Sequence, residues 1–210
     1  MAKVKAPLFS FGASGKLGDA LVYFPWKGLD VVRSYVIPAN PKTTGQVTQR
    51  AYFTEAVSRV HLAQALAANP LNGADVAAYA LLASTEPTPR TWFNQIVKLW
   101  ADVEIAGFTP VIYHDGTISD PTPAAFECLF QIEEETGSTM VAGKFYFGTS
   151  KTALIHSFIA AVTAGATVGI VAGDLSAFLT AGNKYFMQFR PDSADGCEGA
   201  ESGIYSFVAV

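Results

Sequence analysis

From about residue 125 the hydrophobic period of this chain is two. Runs at 125–133, 140–148, 153–162, 166–172, 184–190 and 203–210 alternate apolar with polar side chains, separated by Gly, Thr, Ser and Asp. Successive strand side chains point to opposite faces, so each run can bury one face and wet the other. Several short strands at this spacing read as a β-sandwich of roughly 100 residues. Within "AFECLFQI", Cys128 shares a side with Phe126, Phe130 and Ile132, which marks it as a buried thiol. With Cys197 as the only other cysteine, neither a disulfide framework nor a metal knuckle is expected.

One stretch inside these runs has another reading. Residues 152–173, "TALIHSFIAAVTAGATVGIVAG", lack Asp, Glu, Lys and Arg, and their length just crosses a bilayer. Yet His156, Ser157 and three threonines punctuate them, Gly165 breaks them, and β-branched residues dominate the second part. Two short buried strands joined by a turn are expected there, with no membrane span. The opening residues have no apolar run long enough for a signal peptide, so a cytoplasmic origin is expected.

The first half follows other periods. "DALVYF" and "LDVVRSYVI" flank "PWKG", which reads as a β-hairpin with Trp26 and Lys27 exposed near its tip. Gly12, Gly15 and Gly18 imply a tight bend before it. Pro41 then keeps Asn40 extended. Thr43 and Gln46 form the T-x-x-Q pattern of a capping box, for a helix over 44–67 that buries Val47, Ala51, Val57 and Val60. Asn69-Pro70 stops it. A second helix starts at Asn72 with Asp75 in its first turn and ends near Ala83. A third is expected with Thr88 as cap and Pro89 at its first position. Trp92, Phe93, Ile96, Val97, Leu99 and Trp100 make that third helix apolar around much of its circumference, hence buried in the domain or against a neighbour. Residues 106–125 read as a proline-containing linker with a first edge strand. The expectation is an α+β chain: a hairpin-and-helix module over 1–106, then an all-β sandwich over 107–210.

Catalytic motifs are missing from the linear pattern. "GASGKLG" fails as a phosphate loop, because two residues separate Gly12 from Gly15 and Leu17 stands where a hydroxyl must meet magnesium. His61, His114 and His156 are scattered, with no ligand at metal spacing. Glu133-Glu134-Glu135 reads as a solvated turn in preference to a calcium site. No catalytic, cofactor or metal residue is assigned.

Charge is thin and uneven. Charged residues are 15% of the chain, against roughly 25% in ordinary soluble domains, which points to surface covered by partner subunits. Residues 1–106 hold ten Lys/Arg against seven Asp/Glu; residues 107–210 hold four against eleven. Opposite signs can attract between neighbouring copies, or turn the first part toward an acidic partner. Up to residue 60, eight cations mix with Trp26, Tyr23, Tyr35 and Tyr52, a pattern also found in nucleic-acid binders. The excess is small for a phosphate footprint, so nucleic acid is disfavoured.

Two resemblances add to this. Ser14 to Gly18, Trp26 to Gly28, Arg33, and then Asn40, Pro41, Thr43, Gln46, Gln49, Arg50 and Phe53 spell "SGK(I/L)G…WKG…NPxTxxQxxQR". That pattern resembles a recurrent family of phage and prophage-encoded structural-type proteins, known by its pattern more than by an assigned activity. The likeness extends over about 12–100 and takes in Trp92-Phe93-Asn94. Tyr79 stands where the family has tryptophan. Tyr185, opening a strand after "LTAGNK", is similar to the tyrosine corner of fibronectin type III and immunoglobulin-like domains. The resemblance implies a non-enzymatic virion protein, a capsid decoration or a head- or tail-associated component. It would be made in the host bacterial cytoplasm and carry no cofactor. Lys16, Trp26, Lys27, Arg33, Gln46, Gln49, Arg50, Trp92 and Trp100 are the candidate interaction residues, and Pro41, Thr43 and Tyr185 the structural ones. Arg50 is expected to satisfy hairpin carbonyls more than to reach a neighbour. Expected partners are other virion proteins and copies of itself, with a host-surface glycan also open. The alternative is a soluble module that binds nucleic acid or carbohydrate.

Overall fold

The structure, a computed structural model, describes residues 2–3, 14–37, 40, 42–134, 142–163, 166–192 and 197–210. The chain divides into two compact units, residues 1–46 and 47–210. Charge divides with it. Six Lys/Arg against two Asp/Glu give the first unit +4; eight against sixteen give the second −8.

The first unit holds an antiparallel sheet in the order β1-β4-β3-β2. Its strands are β1 (Ala2–Lys3), β2 (Gly15–Leu17), β3 (Leu21–Trp26) and β4 (Leu29–Ser34). The hairpin is present, with a tighter turn than "PWKG". Pro25 pairs with Asp30 and Trp26 with Leu29, so only Lys27 and Gly28 form the loop. Their φ angles, 50° and 76°, are both positive, the backbone twist that a two-residue hairpin loop requires. The bend before it is made at Gly15 and Gly18, also at positive φ. Gly12, Pro38 and Pro41 lie outside the described residues.

Helix α1 runs Thr44–Ala65, and the Gln46 amide donates to Thr43 Oγ1 at 3.4 Å, as the cap pattern requires. Its buried stripe keeps Val60 and, in part, Val57 of the four expected positions, and loses Val47 and Ala51. Ala56, Val60 and Ala63 are buried and Val57 partly so, while Val47 is 49% exposed and Ala51 is exposed. Residues 44–51 are exposed throughout, so only the second half of the helix meets a core.

Helix α2 (Gly73–Ala83) starts in a full capping box. Asn72 Oδ1 accepts from the Ala74 and Asp75 amides, and the Asp75 carboxylate accepts from the Asn72 amide. Helix α3 (Trp92–Ala106) is capped by Thr91 in place of Thr88, with Pro89 outside it; the Thr91 hydroxyl accepts from the Asn94 amide. Capping there starts the helix at its first packed aromatic. Gly107 ends it at φ 83°, the left-handed stop that glycine provides.

Two antiparallel sheets complete the second unit. One is β5-β6-β10-β9 and the other β12-β11-β7-β8. The strands are β5 (Val111–Asp120), β6 (Phe126–Glu134), β7 (Gly143–Gly148), β8 (His156–Ile159), β9 (Ala161–Thr163), β10 (Thr167–Gly173), β11 (Lys184–Pro191) and β12 (Tyr205–Val208). The edge strand expected within 106–125 is β5, ten residues long at the edge of its sheet, and its irregularity between His114 and Thr117 absorbs Asp115-Gly116. The run 153–162 splits at Ala160 between the two sheets. No helix among the described residues is long and apolar enough to cross a membrane.

Inner faces meet in an aromatic core. Phe126 packs on Phe147 at 5.6 Å and Phe130 on Tyr205 at 4.6 Å, each a contact between sheets. Cys128 is buried beside them. Such ring pairs add about 1 kcal/mol beyond their area. Tyr185 is buried, and its hydroxyl accepts from the Thr180 amide at 2.9 Å.

The boundary expected at residue 106 falls inside the second unit. The helical core of Ala56, Tyr79, Ile96 and Trp100 includes Ile112 of β5 and Ile204 before β12, while Ala78 and Val103 join the core of the sheets. Gly203 permits the approach. A Cβ there would lie 2.8–2.9 Å from the Ala78 and Tyr79 backbone and the Ala78 Cβ, and the Ile204 amide donates to the Ala78 carbonyl. The change of period near residue 103 marks a change of secondary structure within one compact unit.

Candidate interaction surface

The most heavily bonded polar group is sealed. Asp75 is fully buried and accepts from the amides of Asn72, Asp115 and Gly116 and from the Tyr205 hydroxyl, all at 2.7–2.9 Å. Beside it, the Tyr79 hydroxyl accepts from the Tyr113 amide and donates to its carbonyl. Burial, reinforced by the charge of Asp75, pushes the Tyr205 hydroxyl well above its usual range. Burial raises Tyr79 too and lifts the Cys128 thiol to about 12. With both carboxylate oxygens of the buried Asp75 accepting two bonds each, this knot joins α2 to both sheets.

The three histidines do not converge. His61 is exposed against Phe93, and His156 is exposed and stacked on Phe178 at 5.0 Å. His114, expected in a linker, is buried in β5 with Nδ1 2.7 Å from the Asn69 carbonyl. Glu133 is not a solvated turn: it pairs with Arg59 of α1. Glu135 lies outside the described residues. Among the described residues no group of three His, Cys, Asp or Glu gathers for a metal.

The sheet of the first unit has a different character. Cross-strand partners share a face, and the register sets Lys16 beside Val22, Val22 beside Arg33, Phe24 beside Val31 and Trp26 beside Leu29. Lys16, Trp26 and Arg33 thus stand on one face. Three cations lie over rings there: Lys16 over Tyr35 at 4.3 Å, Arg33 over Phe24 at 5.4 Å and Lys27 over Trp26 at 5.9 Å. Asp30 is on the opposite face and Asp19 pairs with Lys16 from the turn. Trp26 is 53% and Leu29 45% exposed. Val31 is the one buried residue among the described side chains of this sheet.

The other candidates separate. Gln46 and Gln49 are exposed on α1. Arg50 lines an open trough on α1 with Val47, Ala51, Thr54 and Leu62, and its carbonyl accepts from the Thr54 hydroxyl. Trp92 is half-buried, edge-on to Phe93. Trp100 is 1% exposed and belongs to the helical core, so its ring is closed to any partner. The shared face, not expected from the sequence, has its signal in the i, i+2 placement of Val22, Phe24 and Trp26 opposite Leu29, Val31 and Arg33. No family model, no curated protein and no solved structure matches the chain.

Proposed function

We propose that the chain is a non-enzymatic structural protein of a phage particle, anchored through its first unit and carrying the second as a rigid body. The carrying observation is the undercovered sheet. Among the described side chains of this sheet Val31 alone is buried, and burying a valine contributes only about 2 kcal/mol. A sheet of this kind is completed by a partner, and its cations select an acidic one. The family pattern that resembles phage structural proteins lies over this sheet and the start of α1.

We read the two-sheet body as an immunoglobulin-type sandwich. Its sheet orders correspond to A-B-E-D and G-F-C-C′ when β5 to β12 are lettered in sequence, and the Tyr185 hydroxyl bonds back to Thr180 at the corner before β11. These features support the reading. Mass spectrometry of purified particles tests the function: the chain is expected at fixed stoichiometry to a capsid or tail protein, and its absence from particles overturns the proposal.

The cation-over-ring pairs also favour a second reading, binding of single-stranded nucleic acid. It requires a gel shift whose affinity falls steeply with salt.

A further inference from the structure

The sheets of the second unit are segregated by charge. Strands β5, β6, β9 and β10 contain five Asp/Glu and no Lys or Arg, while β7, β8, β11 and β12 contain Lys144, Lys184 and Arg190 and no Asp or Glu. Among the described residues the outward face of the acidic sheet is covered at one end. There Ile112 packs into the helical core, His114 bonds to the Asn69 carbonyl and Glu133 pairs with Arg59.

Among the described residues the other end is more exposed. Thr117, Leu129 and Gly169 stand in line across it, with Leu129 41% and Val171 73% exposed. Glu127 is paired across strands with Asp120, and Asp174 follows β10 at the same end. Among the described residues these three carboxylates meet no cation. Their partners are the Ser119 hydroxyl, the Thr122 amide and the Ser176 amide.

We propose that this exposed acidic end receives the cation-and-aromatic face of the first unit of a second copy, so that chains associate head to tail. The inference rests on reading the chain as an assembly subunit and names its neighbour. The faces are complementary: Lys16, Lys27 and Arg33 around Trp26 on one, Glu127, Asp120 and Asp174 around Leu129 and Val171 on the other. Strands of two, three, six and six residues, at about 3.3 Å per residue and about 4.8 Å apart, make a face of about 270 Å². One contact then buries about 540 Å² in total, below the range of stable specific interfaces. Isolated chains therefore associate only when concentrated, and repetition strengthens the contact in an assembly. Because the two surfaces differ, every contact leaves one free face of each kind and association continues.

Sedimentation of the purified full chain from micromolar to millimolar concentration tests this. Self-association that weakens with added salt is expected. Arg33→Glu and Glu127→Lys should each weaken it about tenfold or more. Mixing the two variants should restore it as dimers that do not grow, since one variant keeps its acidic end and the other its cationic face. Circular dichroism checks folding, and Trp26→Ser, at an exposed site, replaces any charge reversal that unfolds. Monomers at all concentrations, association indifferent to these substitutions, or a mixture no tighter than its components overturns the proposal. A monomer that still pellets with particles removes the self-contact and leaves the anchoring role standing.

Discussion

Tyr205 donates its hydroxyl proton to the Asp75 carboxylate at 2.7 Å, tying β12 to the first turn of α2 across 130 residues of sequence. The ring also lies where a Cβ on Gly116 would be, so the strand irregularity, the helix and the last strand close around one carboxylate. Replacing Asp75 by Ala leaves three amides and a hydroxyl unpaired and should cost about 3 kcal/mol or more. Tyr205→Phe keeps the three amide bonds and should cost about 1–2 kcal/mol. Urea denaturation measures both, and equal losses would contradict this ranking.

Stability should fall in alkali. Burial raises Cys128 to about 12 from an ordinary 9.0, and raises Tyr79 and Tyr205 above an ordinary 10.0. The unfolded chain releases these protons first, so their contribution is full below the unfolded values and is lost as pH climbs toward the folded ones. The urea midpoint should hold up to about pH 9 and decline beyond it, less steeply in Tyr205→Phe. A midpoint unchanged into strong alkali contradicts the assignment.

Glycine substitutions should divide sharply. Gly203→Ala drives a methyl into the α2 backbone and should cost about 3 kcal/mol, whereas nothing lies within 4 Å of a Cβ on Gly73. Gly73→Ala should stay within about 0.5 kcal/mol of the parent. Thermal melts of the two variants compare them.

Tyr185→Phe removes the acceptor of the Thr180 amide. A loss of about 1–2 kcal/mol is expected, with the fold retained by circular dichroism. No loss would make the corner bond incidental.

The strands were legible in the sequence because burial on one face enforces alternation, and the caps of α1 and α2 because they are local. The partition of the core was not. Ile112, Ile204 and Phe186 read as sandwich residues, yet they pack against helices, and no local signal records which face of a strand meets which layer. Asp75 reads as a capping acid, but three of its four donors, from Asp115, Gly116 and Tyr205, lie at least 40 residues away. On α1, apolar residues occur on both sides, so periodicity alone chose Val47 and Ala51 over Ala56 and Ala63. The exposed Trp26 was legible, since a hairpin tip leaves a large ring nowhere to go.

Co-sedimentation of the full chain with intact particles, with and without the paired substitutions Trp26→Ala and Arg33→Glu, bears most directly on anchoring through the first unit. The parent should pellet with particles and the variant should stay in the supernatant with its circular dichroism unchanged. A folded variant that pellets as well as the parent would place the anchor elsewhere.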